Sequence, residues 1–257
     1  MSTIVLKKND KNNNVKILQR TLGINDDGIF GSQTEECVRK FQEKNGLVAD
    51  GIVGELTQKT LGISFEDNID IIFLPITKHI TKKKRQIKYI VLHYTAGGSS
   101  KKGSAIQTRN LFQNSNRGAS ADFCVDDETI VQINSDPLNY YCWAVGDGKG
   151  KYGITNANSI SIEMCSTLKK GTTAAVGNHN GWSISSNVIE LTIKLVKCLM
   201  EKYNISLENV VRHYDASRKS CPGIIGWNNN ETYSESGKQL SAKNNSNEWL
   251  KFKEKLK

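Results

Sequence analysis

The feature that most restricts the fold is an internal repeat near the N-terminus. The segment DGIFGSQT at residues 27–34 recurs as DGIVGELT at residues 50–57, with the Asp, both Gly, the Ile and the Thr retained. An Asp-Gly pair is typical of a turn in which glycine adopts backbone angles that other residues avoid. Ser32, Thr34 and Thr57 stand where helices could begin. The repeat therefore predicts two similar turns, each leading into a helix.

The apolar residues around these turns have helical spacing. Val15, Leu18 and Leu22 form one stripe, and Cys37, Val38 and Phe41 form another. We predict a domain of three short helices over residues 1–63, a polar linker at 64–68, and a larger domain at 69–257 that starts with an extended arm.

Three predicted strands of the larger domain carry polar side chains at notable positions. YIVLHY places His93 near a strand end, and ENVVRHY ends close to His213. NSISIEM places Glu163 inside an apolar strand, where an unpaired charged carboxylate costs several kcal/mol. Glu163 therefore requires a specific reason for its position.

The remaining patterns favour an α/β domain with a central sheet. A hairpin is predicted to turn at residues 126–128, and an amphipathic helix follows Ser185 or Ser186. A closing helix over NEWLKFKEKL is expected to be anchored by Trp249, Leu250 and Phe252. The cysteines within strand and helix patterns are expected in the core: Cys124, Cys142, Cys165 and Cys198.

A candidate metal site includes the stretch VVRHYDASRKSCPG, residues 210–223. This stretch contains His213 and Cys221. With His93 from the first predicted strand, they would supply two imidazoles and one thiol. Catalytic zinc sites use three such ligands and leave a fourth position to water. Pro222 favours an extended backbone at Cys221. On spacing alone, a structural role for the buried histidines stays open.

Composition limits the class of protein. The longest apolar run falls short of the about 18 residues expected of a membrane helix, and residues 1–14 lack a signal-peptide apolar core. Six scattered cysteines without a CxxC pair indicate reduced thiols. We therefore expect a protein made in a cytoplasm, without membrane insertion.

The net charge of +9 is unevenly distributed. Residues 1–63 hold nine basic and eight acidic residues, whereas the rest hold 26 and 18. A basic body favours an anionic partner: nucleic acid, an acidic membrane surface or an anionic wall polymer. The densest basic run, TKKKR at 81–85, is short and has no interleaved aromatic residues. Nucleic-acid binding is therefore not expected.

Two family resemblances follow from these motifs. Residues 10–63 resemble the type 1 peptidoglycan-binding domains, in which a DGxxGxxT turn joins the helices. Residues 69–257 resemble the type 2 zinc-dependent N-acetylmuramoyl-L-alanine amidases, which include phage endolysins and peptidoglycan-recognition folds. The matching motifs occur in the family's order: YIVLHYTAG, CWAVGDG, NSISIEM, YNISLENVVRH and RKSCPG.

The resemblance implies a catalytic α/β domain with a central mixed sheet flanked by helices. It implies that His93, His213 and Cys221 bind Zn²⁺, that Glu163 is the general base, and that Lys219 stabilises the oxyanion. The implied reaction hydrolyses the amide between the lactyl group of N-acetylmuramic acid and L-alanine of the stem peptide. Bacterial peptidoglycan is the implied partner, reached from the host cytoplasm through a holin pore.

Other functions stay open at this stage. One is a non-catalytic peptidoglycan-recognition protein with the same fold. A second is a zinc peptidase that cuts within the stem peptide. The segment SNRGASAD at 115–122 superficially resembles the D,D-peptidase pattern SxHxxGxAxD, but Arg117 stands where the metal-binding histidine belongs. A third is an amidase that uses Cys221 as its nucleophile.

Four further residues carry weaker expectations. Asp122 stands where many relatives have a histidine. We expect it to face solvent, with orientation of a zinc-bound histidine as the alternative. Trp143 in CWAVGDG is expected either in the wall of the substrate groove or in the core. His179 is a replacement candidate for a ligand, and His79 is expected at the surface.

Overall fold

The structure is a computed structural model of the chain, and it describes residues 4–63, 71–171, 181–224, 227, 232–233, 239–240 and 247–257. The chain divides into two units, Met1–Asp70 and Ile71–Lys257. The expected linker at 64–68 lies outside the described residues, so its bounds stay a prediction.

The first unit contains the three helices that the sequence predicts, α1 (Asn13–Thr21), α2 (Ser32–Lys44) and α3 (Glu55–Leu61). Asn12 caps α1 by accepting a hydrogen bond from the Val15 N–H. Helix α2 begins at Ser32, whereas α3 begins two residues before Thr57. Residues from the helices and from the segments before and between them form the buried core: Leu6, Val15, Leu18, Phe30, Val38 and Val53.

Buried glutamines, which the sequence patterns did not single out, explain the repeat. Gln42 Nε2 donates to Asp50 Oδ1 at 2.9 Å and to the Ile52 carbonyl at 2.9 Å, while the Gly51 N–H donates to Gln42 Oε1 at 2.9 Å. Gln19 makes the equivalent contacts with the first turn: Asp27, Ile29 and Gly28. Each glutamine therefore holds the Asp-Gly turn that lies eight residues beyond it in the sequence.

Replacing Gln42 with alanine is expected to destabilise the first unit by about 1–3 kcal/mol, because the Gly51 N–H and the Ile52 carbonyl lose a buried partner. The measurement is hydrogen exchange of the amides at residues 50–57 in the full chain. The four tryptophans lie between residues 143 and 249 and so report only on the second unit. Gln33→Ala, at an exposed position of the same helix, is the matched control. Equal protection in both variants would contradict the prediction.

The second unit contains the remaining regular elements. Its strands in chain order are β1 (Ile71–Phe73), β2 (Ile80–Lys82), β3 (Tyr89–Tyr94), β4 (Phe123–Val125), β5 (Ile130–Gln132), β6 (Tyr140–Cys142), β7 (Ser159–Met164), β8 (Thr167–Leu168), β9 (Trp182–Ser183), β10 (Val210–Arg212), β11 (Thr232–Tyr233) and β12 (Gln239–Leu240). Its α-helices are α4 (Ser104–Asn114), α5 (Ser186–Tyr203), α6 (His213–Ser217) and α7 (Asn247–Glu254).

The central sheet is mixed, as the resemblance implied. Its six strands lie in the order β1-β5-β4-β7-β3-β10. Strands β4 and β5 are antiparallel, which confirms the predicted hairpin, and every other neighbouring pair in this sheet is parallel. Strand β3 therefore lies between β7 and β10 and brings the three predicted site strands together.

Helices α5 and α7 test the amphipathic patterns. Helix α5 begins after Ser185, whose hydroxyl accepts from the Val188 N–H. In α7, Trp249 and Phe252 are buried beside Trp227, with ring centroids 5.4 and 5.1 Å from it. Leu250 is 59% exposed, so its expected anchoring role is wrong.

The cysteine expectations are confirmed for three of the four positions. Cys124, Cys142 and Cys165 are buried. Cys198 is exposed, because it lies on the solvent side of α5. Its assignment to the core is wrong.

Among the described helices, none combines the length and the apolar character needed to cross a bilayer.

Candidate active site

Three potential metal ligands converge at one edge of the central sheet. His93 is the second-to-last residue of strand β3, and His213 directly follows strand β10. Cys221 lies on the loop after α6. Each residue is buried and offers a ligand atom, and these atoms all lie within 4.8 Å of one another. Strand β10 pairs with β3 in parallel, which places Arg212 opposite Leu92 and so brings His213 close to His93.

The chemistry of these residues fits a metal ion. His93 Nε2 is buried and has no hydrogen-bond partner within the described residues, and His93 Nδ1 lies 3.9 Å from Cys221 Sγ. Burial, together with the charges of His213 and Lys219, holds the pKa of His93 well below its ordinary value. His93 is therefore neutral, as a metal-binding imidazole must be.

Cys221 has a matching environment. Burial raises the pKa of its thiol, and the Glu163 charge raises it further. The thiol therefore has no tendency to ionise in this position unless a cation is nearby. Two imidazoles and one thiol form a donor set that zinc accepts.

Glu163 lies beside the ligand cluster. Parallel pairing of β3 and β7 places Glu163 directly opposite His93. Its Oε2 atom is buried and has no hydrogen-bond partner within the described residues. Burial raises the pKa of Glu163 to about 8, although the charges of Lys219 and Arg117 act to lower it. A carboxyl with a pKa near neutrality can both accept and donate a proton at neutral pH.

Asp147 lies beside both His213 and Lys219. Asp147 Oδ1 is 2.8 Å from His213 Nε2, and Asp147 Oδ2 is 4.0 Å from Lys219 Nζ. The Lys219 side chain is half exposed, so its ammonium group can reach a bound ligand. Sequence patterns did not identify Asp147, although it lies within the quoted motif CWAVGDG.

A groove connects all five predicted site residues. His93, Glu163, His213, Lys219 and Cys221 line it together. Its remaining walls are partly apolar and include Leu111, Phe112, Ala144 and Trp143. The Trp143 ring is 40% exposed, and its Nε1–H donates to Thr81 Oγ1 at 2.9 Å. Trp143 therefore forms groove wall and not core.

Family comparisons agree with this geometry. Residues 83–224 match the family model described as N-acetylmuramoyl-L-alanine amidase, which is more than half of the chain. The chain belongs to this amidase family. Residues 11–61 match a second model, described as a peptidoglycan binding domain. The first match contains every residue of the candidate site, and the second contains both Asp-Gly turns.

Individual amidases of this family are moderately similar to the chain. The N-acetylmuramoyl-L-alanine amidase XlyA of Bacillus subtilis (strain 168) is 37% identical over 134 residues, which are 52% of this chain and 39% of that protein. The amidase CwlA of the same strain is 28% identical over 138 residues, 54% of this chain and 44% of that protein. The chain thus matches less than half the length of these curated relatives.

The solved catalytic domain of XlyA has a similar fold. It shows 28% sequence identity and a TM-score of 0.52, and the match covers 74% of this chain and 100% of that domain.

The surroundings of Asp122 differ from both expectations for it. Its side chain is 1% exposed, so it does not face solvent. Asp122 Oδ1 accepts from Arg85 Nη2 at 3.0 Å, and Oδ2 accepts from the Ser161 N–H at 2.8 Å. Within the described part of the chain, its carboxylate accepts hydrogen bonds from Arg85, Asn134 and the Ser161 N–H, and from no histidine. Asp122 therefore stabilises the sheet through Arg85 and β7.

The sequence contains two further histidines, His79 and His179. His79 is half-buried, and its Nδ1 contacts the Phe112 carbonyl at 2.9 Å. His79 is therefore only partly exposed, and it contacts Phe112 and Trp143 of the groove wall. His179 lies outside the described residues.

Proposed function

We propose that this chain is a zinc-dependent peptidoglycan hydrolase. The bond cleaved is the amide between the lactyl group of N-acetylmuramic acid and L-alanine of the stem peptide. The observation that carries the proposal is the His93–His213–Cys221 cluster, which shares one groove with the buried carboxyl of Glu163. Membership of the amidase family supports the choice of bond.

The metal is assigned from its donor set. His93, His213 and Cys221 would hold Zn²⁺, which when bound polarises a carbonyl and lowers the pKa of water to about 7. The buried, unpartnered nitrogen of His93 supports a ligand role for this residue.

Glu163 transfers protons in the proposed reaction, and Lys219 stabilises the oxyanion. Glu163 takes the proton of the attacking water and then delivers it to the leaving nitrogen of L-alanine. Burial raises the pKa of Glu163 to about 8 in the metal-free protein, and a cation bound nearby would lower it toward neutral pH, where one carboxyl can accept and then donate a proton. Lys219 Nζ donates to the oxyanion that develops on the scissile carbonyl, and loss of one such donor commonly lowers kcat by about 10²–10³.

The first unit and the charge distribution define the expected partner. The match of residues 11–61 to a peptidoglycan binding domain supports attachment of this unit to the wall. The surplus of basic residues beyond residue 63 supports an additional attraction to anionic wall polymers. In this proposal the protein acts on the cell wall after release through a holin pore.

The chemistry of Cys221 argues against a cysteine nucleophile. A reactive thiol needs a lowered pKa and access to solvent. Cys221 is 5% exposed, and burial raises its pKa. A metal ligand is the role that fits both facts.

Digestion of purified Gram-positive peptidoglycan tests the proposed reaction. We expect mass spectrometry to find free lactyl ends and new L-alanine amino termini. The products should disappear with a chelator and return when Zn²⁺ is added. Cleavage within the stem peptide or glycan would overturn the assigned bond. Cleavage that resists chelation would favour Cys221 as the nucleophile, and no cleavage of any tested wall would favour a non-catalytic recognition protein.

A further inference from the structure

We propose that Asp147 is a positioning residue, which orients His213 for the metal and holds Lys219 beside it through one carboxylate. This inference rests on the proposed metal site. It gives a role to the CWAVGDG motif, which contains none of the proposed metal ligands and neither Glu163 nor Lys219.

The hydrogen bond between Asp147 and His213 fixes the state of the imidazole. Asp147 Oδ1 lies 2.8 Å from His213 Nε2. An ionised carboxylate only accepts hydrogen bonds, so Nε2 carries the proton and donates it. The lone pair of the neutral ring is therefore on Nδ1, which is the nitrogen left for a metal. Carboxylate partners of this kind commonly fix the tautomer and the orientation of metal-binding histidines.

The loop that carries Asp147 is held in place by its own sequence. Asn156 Oδ1 accepts from the backbone N–H groups of Ala144 and Val145 at 3.0 and 2.7 Å. A Cβ atom at Gly148 would collide with the Ala216 carbonyl of α6. Glycine at this position therefore allows the short 3-10 helix Gly146–Gly148 to pack directly against the helix that begins with His213.

The second oxygen of Asp147 faces the other functional side chain. Asp147 Oδ2 lies 3.4 Å from Ser217 Oγ and 4.0 Å from Lys219 Nζ. Ser217 Oγ in turn accepts from the Lys219 N–H at 3.2 Å. Asp147 thus contacts the segment 213–219 at both ends, one end providing a proposed ligand and the other the proposed oxyanion donor.

Zinc affinity of the metal-free full-length chain tests this role. Wild type, Asp147→Ala, Asp147→Asn and Glu128→Gln would each be titrated with Zn²⁺ against a chromophoric chelator. We expect Asp147→Ala to bind Zn²⁺ about 10–100-fold more weakly. Asp147→Asn should lose less, because its amide oxygen can still accept from His213 Nε2. Within the described residues, the Glu128 side chain forms an ion pair with one lysine, the exposed Lys102, at 2.8 Å, so Glu128→Gln should match wild type.

A spectroscopic readout separates orientation from general damage. The visible spectrum of the Co²⁺-loaded protein should change in Asp147→Ala and stay close to wild type in Asp147→Asn, while the melting temperatures of all metal-free variants stay equal. Unchanged zinc affinity in Asp147→Ala would overturn the inference, as would equal losses in both variants or a wild type that binds no Zn²⁺.

Parallel digestion of peptidoglycan distinguishes the two proposals. A wild type that binds Zn²⁺ but cleaves no wall, with Asp147→Ala weakened as expected, would overturn the proposed function and leave this inference standing. A wild type that cleaves the expected amide, with Asp147→Ala binding Zn²⁺ normally, would support the proposed function and overturn the role of Asp147.

Discussion

Glu163→Gln is expected to remove most of the wall-cleaving activity while leaving zinc binding unchanged. Glutamine has the shape of glutamate but cannot take a proton from water or return one to the leaving amine. Loss of a positioned general acid–base group typically lowers kcat by about 10²–10⁴. The measurement is the rate at which L-alanine amino termini appear in digested peptidoglycan, together with the zinc content of each protein.

A matched control makes the result specific. Glu190 is exposed on α5, and Glu190→Gln removes the same chemical group away from the groove without an expected effect. Full activity in Glu163→Gln would overturn the assignment of the general base. Loss of zinc in this variant would instead mean that Glu163 supports the metal ligands.

The pH dependence of stability provides an independent check of the burial of Glu163. In the metal-free protein its pKa is raised from 4.5 to about 8. The folded state then holds a proton that the unfolded state has released, so stability falls as the pH rises from about 4.5 to about 8. Above this range no further loss is expected. Metal-free Glu163→Gln lacks this group, and its urea-unfolding midpoint should depend less on pH than that of wild type.

The sequence predicted which strands carry the site residues, but it did not predict how those strands pair. Alternation in YIVLHY and NSISIEM identified the strands that carry His93 and Glu163. Nothing in either pattern states that these strands pair in parallel with the two residues opposite each other. That register depends on the order of the whole sheet, which forms through contacts between distant parts of the chain.

Polar residues that act through distant partners were the hardest to predict. Asp147 contacts His213 across 66 positions of sequence, and Arg85 contacts Asp122 across 37. Local periodicity carries no information about such pairs. The errors at Leu250 and Cys198 have a related cause, because an apolar residue on a helix is buried only where another element covers it.

Asp122→Ala is expected to destabilise the second unit by about 3–5 kcal/mol, because it leaves the guanidinium of Arg85 buried without its counter-charge. Both side chains of this ion pair are 1% exposed. Arg85 also donates to the carbonyls of Pro137 and Asn156 at 2.6 and 2.9 Å, and so cannot turn to solvent without breaking further contacts. Asp122 also binds the N–H of Ser161, two residues before Glu163 on β7. The substitution should therefore weaken the strand that presents the general base.

Urea unfolding followed by tryptophan fluorescence measures this effect, since the tryptophans lie in the second unit. The matched control is Glu128→Ala, which breaks an ion pair whose side chains are 71% and 56% exposed. Exposed pairs contribute about 0–1 kcal/mol, so the control should unfold close to wild type. If Asp122→Ala unfolded at the same urea concentration as the control, the buried pair would contribute no more than a surface pair. A large loss for Asp122→Ala, with the control near wild type, would mean that the buried contacts of Asp122 with Arg85 and the Ser161 N–H stabilise the second unit.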